Sequence, residues 1–254
     1  MIHPGLLSIT FRQLAPRAIV DLAQQAQLRG IEWGGDIHVP HGDLARAREV
    51  RALTANAGLA VSAYGSYYRV ATSEEDDLSF DRVLETAVAL GAPTIRIWAG
   101  KLGSDQAEAA HRQRVAMETL RVANLAAAVG LTISFEYHSS TLTDTNESAQ
   151  QLLAAVKHPA VFTFWQPPLD QSDEDCVAGL RAVLPRLSHL HVYHWRPTPV
   201  ERRPLAEGAA RWRRFLDIVR STGRDHFASL EFVRDDSPEV FLEDACVLRE
   251  WLTR

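Results

Sequence analysis

The sequence predicts an α/β fold, a single (β/α)₈ TIM barrel occupying residues 1–254 as one domain. Three observations predict it. First, Gly or Pro stands just before a short β-prone run at Gly30, Gly58, Gly91, Gly130, Pro159, Pro185 and Gly223. The intervals run from 26 residues (159 to 185) to 39 (91 to 130), each about one strand-plus-helix unit. Second, the intervening segments carry apolar residues at helical spacing. Third, no Gly-rich dinucleotide fingerprint follows the first strand, which runs into Phe11-Arg12-Gln13. Alternating strands and helices imply a parallel sheet, and eight units favour a closed barrel over an open one.

In chain order, the expected strands are 6–11, 31–36, 59–64, 94–98, 131–137, 161–166, 187–194 and 227–233. Between them lie the helical stripes. Ile19, Leu22, Ala23 and Ala26 form the first; Phe80, Val83, Leu84 and Ala87 another; Trp212, Phe215, Leu216 and Val219 another. Phe241, Ala245, Leu248 and Leu252 close the chain. Two helix starts are marked. Asp144 stands three residues before Glu147, and Ser237-Pro238 suits a cap followed by Pro at the first helical position.

Composition narrows the function classes. The 254 residues are 46% hydrophobic and 23% charged, ordinary for a water-soluble globular chain with a large core. A net charge of −5 disfavours a nucleic-acid partner. No window approaches the roughly 18 apolar residues of a spanning helix, and the N-terminus does not read as a signal peptide. Cys176 and Cys246 form no CxxC pair, so a reduced, cytoplasmic setting is expected.

In such a barrel, polar residues at strand C-termini are the candidates for chemistry. Alternation places Ser134, Glu136 and His138 on one face of strand five, His189 and His191 on one face of strand seven, and Ser229 and Glu231 on one face of strand eight. If these faces point inward, two carboxylates and an imidazole converge. The carboxylates would repel unless a cation or a shared proton separated them. Oxygen ligands with one imidazole suit Mn²⁺, Mg²⁺, Co²⁺ or Zn²⁺. Glu32, near the start of its strand, is expected to be structural.

These runs resemble the sugar isomerase/epimerase family of xylose-isomerase-like barrels, which is related to endonuclease IV. The resemblance rests on Phe135-Glu136-Tyr137-His138 followed by Leu142-Thr143-Asp144-Thr145, on Leu190-His191-Val192 and on Leu230-Glu231. It implies a divalent metal held by Glu136, His191 and Glu231, with Gln166 where the family has aspartate. Leu169 stands where the family has a histidine. It also implies proton transfer by Glu136 and Glu231 on a sugar or sugar-like polyol, through an enediolate, as isomerase or epimerase. His38, Trp33, Arg96, Trp98, His138 and His194 are candidates for binding substrate, joined by Arg196 and Glu207 from the loop after strand seven. The expected partner is a small carbohydrate, with no nucleic acid and no membrane; a homo-oligomer is left open.

Three rivals remain. A lyase or hydratase on an oxidised sugar would use the same acid/base pair. An endonuclease-IV-like repair enzyme would need more histidine and aspartate ligands and a basic face. A non-catalytic sugar-binding barrel would have lost its metal through Gln166.

Overall fold

The computed structural model describes residues 1–168, 171–196, 198 and 201–253. Leu169 therefore lies outside the described residues. Eight parallel strands close into a barrel in chain order: β1 (Ile2–Leu7), β2 (Gly30–Gly34), β3 (Ala60–Arg69), β4 (Thr94–Trp98), β5 (Thr132–Phe135), β6 (Val161–Trp165), β7 (Leu187–Val192) and β8 (His226–Leu230). β1 pairs with both β2 and β8, which closes the ring.

Eight helices form the outer layer: α1 (Pro16–Gln25), α2 (Leu44–Asn56), α3 (Phe80–Leu90), α4 (Ala109–Ala128), α5 (Asn146–Ala155), α6 (Asp173–Val183), α7 (Ala209–Arg220) and α8 (Pro238–Leu252). The expected stripes face the strands: Trp212, Phe215, Leu216 and Val219 of α7 are buried, as are Phe241, Ala245 and Leu248 of α8. Ser237 caps α8 by accepting from Val240 N at 3.3 Å. At α5 the cap is Thr145, not Asp144: Thr145 Oγ1 accepts from Ser148 N, while Asp144 Oδ2 accepts from Ser104 N of another loop. Among the described residues, no helix is long and apolar enough to cross a membrane.

The first strand is displaced from its expected place. Residues 6–11 hold only the end of β1; Ser8–Phe11 form a 3-10 turn. Pro4 and Gly5 hide the strand from a propensity reading. Its partners on β2 and β8 supply the hydrogen bonds that make it a strand.

β3 carries the irregularity that matters most. Its register against β4 slips between Gly65↔Arg96 and Tyr68↔Ile97, leaving Ser66 and Tyr67 as an insertion. Tyr67 there takes a left-handed backbone, φ 56°. Bulges of this kind re-aim side chains beside active sites.

Candidate active site

The site forms above the ends of β4 to β8. Glu136, Gln166 and Glu231 each stand one residue beyond their strand, and His191 is the last but one of β7. The strand still sets each side chain's direction, but the group reaches above the packed interior. The four converge on His191 Nδ1, with Gln166 Oε1 at 2.9 Å, Glu136 Oε1 at 3.5 Å and Glu231 Oε2 at 3.7 Å. Glu136, His191 and Glu231 are all buried.

Each is oriented from behind. Gln166 Nε2 donates to Tyr137 O at 2.7 Å, which turns the amide oxygen towards the centre. Thr143 Oγ1 donates to the Glu136 carbonyl at 2.5 Å and holds the end of β5. His191 Nε2 faces Glu32 Oε2 at 3.1 Å. A carboxylate behind the ring places a proton on Nε2 and aims Nδ1 at the centre, the usual support of a metal-binding histidine.

Arg96 joins the carboxylates of β2 and β5. It is buried; its Nε donates to Glu32 Oε1 at 2.5 Å and its Nη1 to Glu136 Oε2, which also accepts from Trp98 Nε1. Glu136 Oε2 is thus saturated while Oε1 faces the centre. Gly65 makes room for this pairing. A Cβ there would meet Arg96 Nη2 at 2.6 Å and Glu32 Oε1 at 3.0 Å.

The two catalytic candidates differ in charge state. Burial works against a charge on Glu136, but Arg96 and then His191 overcome it and hold the carboxyl well below the usual carboxylate range. Burial pushes Glu231 up and Glu136 adds to this; His191 and Arg96 pull the other way, and the group titrates at about 7. Burial opposes a charged His191, but Glu231 and Glu32 outweigh it and push the imidazole up to about 10.

The donor set fits a divalent cation. Glu136, His191 and Glu231 offer ligand atoms within 4.8 Å of one another, and Gln166 adds a neutral oxygen. Glu231 Oε2 is buried without a hydrogen-bond partner among the described residues. Once His191 and Glu231 have given up their protons, three carboxylates against one guanidinium leave two negative charges, which one such ion would balance. The Glu-His-Glu group and the Gln oxygen are hard or borderline ligands, consistent with Mn²⁺, Mg²⁺, Co²⁺ or Zn²⁺.

Of the remaining expected site residues, Arg96, Trp98 and His138 gather here. Trp98 and His138 rings lie 4.3 Å apart, and His138 lines a cavity of about 670 Å³ with Gln166, Tyr193 and Trp195. Tyr193 and Trp195 stack at 3.9 Å. Arg96 pairs with two carboxylates of the site through Nε and Nη1.

The others lie elsewhere. Trp33 is fully buried on the outer side of β2, donating Nε1 to Thr54 of α2, so it is packing and not a sugar platform. His38 is buried against Ser8 Oγ at 2.9 Å. His194 packs beside Gly208. Arg196 pairs with Asp173, and Glu207 with Arg203 on the exposed rim.

Glu32 sharpens the sequence expectation. It is the buried partner of both Arg96 and His191, so its structural pairing stands directly behind the site. Its signal was the Gly30-Ile31-Glu32-Trp33-Gly34 alternation, which sets a lone carboxylate between glycines on the inner face.

A family profile described as xylose isomerase-like TIM barrel matches residues 20–251, and the chain belongs to that family. Among individual proteins, it is 24% identical to a 3-dehydroshikimate dehydratase of Bacillus anthracis, over 96% of this chain and 95% of that one. A crystal structure of the probable 3-DHS dehydratase of petrobactin synthesis from the same organism superposes with TM-score 0.80 at 23% identity, covering 97% of this chain and 98% of that one. The 3-keto-D-glucoside 4-epimerase of E. coli superposes with TM-score 0.75 at 14% identity, covering all of both chains.

Proposed function

We propose that this chain is a divalent-metal-assisted lyase that removes water from a hydroxylated cyclic keto acid of the 3-dehydroshikimate kind, with residues 1–254 acting as one catalytic domain on a small molecule. One observation carries this. Two buried carboxylates meet at His191 Nδ1, one saturated by Arg96 and Trp98, the other without a partner. The isomerase or epimerase expected from the sequence would begin with the same proton abstraction. The full-length likeness to a dehydratase supports elimination as the fate of the resulting carbanion.

Elimination needs a group that takes the proton beside the ketone and one that protonates the departing hydroxyl. Glu231 is suited to both. Its Oε2 faces the centre, and its Oε1 makes no hydrogen bond among the described residues, which supports Oε1 as the atom that exchanges a proton with substrate. It takes the proton from carbon as the C–H bond breaks. It then gives it to the hydroxyl as the C–O bond breaks, leaving a C=C bond and one water. Glu136 stays charged throughout, held by Arg96 and Trp98. Glu136, Gln166, His191 and Glu231 would hold a divalent ion that stabilises negative charge on the ketone oxygen.

The test is direct. Protein loaded with Mn²⁺ or Mg²⁺ and given 3-dehydroshikimate is expected to form a product one water lighter by mass spectrometry. A product of unchanged mass points to the isomerase or epimerase reading and overturns this one, as does the absence of turnover.

A further inference from the structure

Seven arginines stand at the strand C-terminal ends or in the loops just after them. Arg12, Arg96, Arg196, Arg202, Arg203 and Arg234 each lie within 3.6 Å of an aspartate or glutamate. Arg69, the last residue of β3, is the exception: among the described residues it has no acidic partner. It is partly buried, and Nη1 donates to Gly100 O at 3.2 Å. Its Nε and Nη2 make no hydrogen bond among the described residues.

Its position is imposed by the fold. The Ser66–Tyr67 insertion brings Arg69 into register with Trp98. The guanidinium carbon then lies 4.0 Å from the centre of the Trp98 ring, the same indole whose Nε1 donates to Glu136. The left-handed Tyr67 beside it is backbone strain of the sort retained at functional positions. The Nε–Nη2 edge carries no hydrogen bond among the described residues, and a guanidinium edge matches a carboxylate through two parallel hydrogen bonds.

Charge balance points the same way. A divalent ion would neutralise the Glu32, Arg96, Glu136 and Glu231 cluster, so the cluster itself offers an anionic substrate no net attraction. A further cation is required if the substrate carries a carboxylate, and Arg69, against the Trp98 indole that bonds Glu136, is the mouth arginine without an acidic partner among the described residues.

We infer that Arg69 binds the substrate carboxylate and makes this site selective for acids over neutral sugars. This rests on the keto-acid reading above and names the residue that enforces it.

Calorimetry on the metal-loaded full chain, with the dehydration product of 3-dehydroshikimate and the methyl ester of that product as unreactive acid and ester probes, tests it. The unaltered protein is expected to favour the acid by at least about tenfold, the scale of one charge-assisted contact. Arg69→Gln should bring acid and ester within about twofold of each other. Arg69→Lys, which keeps the charge but loses the fork, should give an intermediate preference, and it supplies the reading if Arg69→Gln does not fold. An unchanged preference in the variants overturns the inference, as does equal binding of acid and ester, or binding of neither, by the unaltered protein. Acid preference lost in Arg69→Gln without formation of the dehydrated product would sink the dehydratase reading and leave the carboxylate contact standing.

Discussion

The two sides of the barrel mouth treat the same residue type in opposite ways. On the β4–β5 side, Glu136 is clamped by Arg96 and Trp98. On the β7–β8 side, Glu231 meets His191 at 3.7 Å, too far for a hydrogen bond, and its Oε2 is left without a partner. Both carboxylates are buried one residue past a strand end. Burial alone would raise both. The guanidinium reverses that outcome for one of them only. Neighbours, and not depth, decide which carboxylate holds a charge and which is free to exchange a proton.

Four experiments probe that contrast, the strongest effect first. Glu231→Gln should remove the proton carrier and lower kcat by about 10²–10⁴, typical of a lost acid–base group. Near-normal turnover of the variant would end the asymmetry between the two carboxylates. Glu136→Gln acts on the other side: it leaves Arg96 short of one partner in the interior. Chemical denaturation should show a stability loss of about 3–5 kcal/mol, the scale for one broken buried pair; Glu231→Gln should show far less.

Glu32→Gln keeps the shape but removes the charge behind His191. Metal affinity measured by titration should fall about 10–100-fold, as for other second-layer partners of metal-binding histidines. An unchanged affinity would mean that Glu32 serves only Arg96.

The pH dependence follows from the same groups. Glu231 titrates at about 7 and His191 at about 10. Both pKa values are raised, so at neutral pH His191 holds a proton and Glu231 is about half protonated, and a cation must displace those protons. Metal affinity should therefore increase with pH, by up to about tenfold per unit for each proton released. Calorimetry in buffers of different ionisation heat would show those protons; affinity that is flat or falling between pH 6 and 8 would contradict the charge states described.

Expectation and structure part company for physical reasons. The strand-end residues Glu136, His191 and Glu231 were legible because each sits in a short apolar run whose alternation gives its face. Arg96 and Trp98 were visible as strand-four residues, but not as the clamp on Glu136. Trp33, a candidate for substrate by position, leans towards packing already in the sequence, and its bond to Thr54 of α2 agrees with that. Glu32 looked structural because its partners are far away in sequence: Arg96 by 64 residues and His191 by 159. Gln166 stands in the sequence as a candidate neutral ligand in the place of a charged one. Only its bond to Tyr137 O shows that its oxygen is turned to the centre.

Local pattern was enough to specify the order of eight strand–helix units and three of the four centre-facing residues. Period, punctuation and alternation are written within a few residues of each position. Neighbours across the barrel were set by tertiary contacts alone: the Glu32–Arg96–Glu136 chain, the insertion in β3 that delivers Arg69 to Trp98, and the unequal states of two glutamates. Closing the ring brings side chains from β2, β3, β4, β5, β7 and β8 into one buried space. Charge and solvation there depend on distances that no local pattern records.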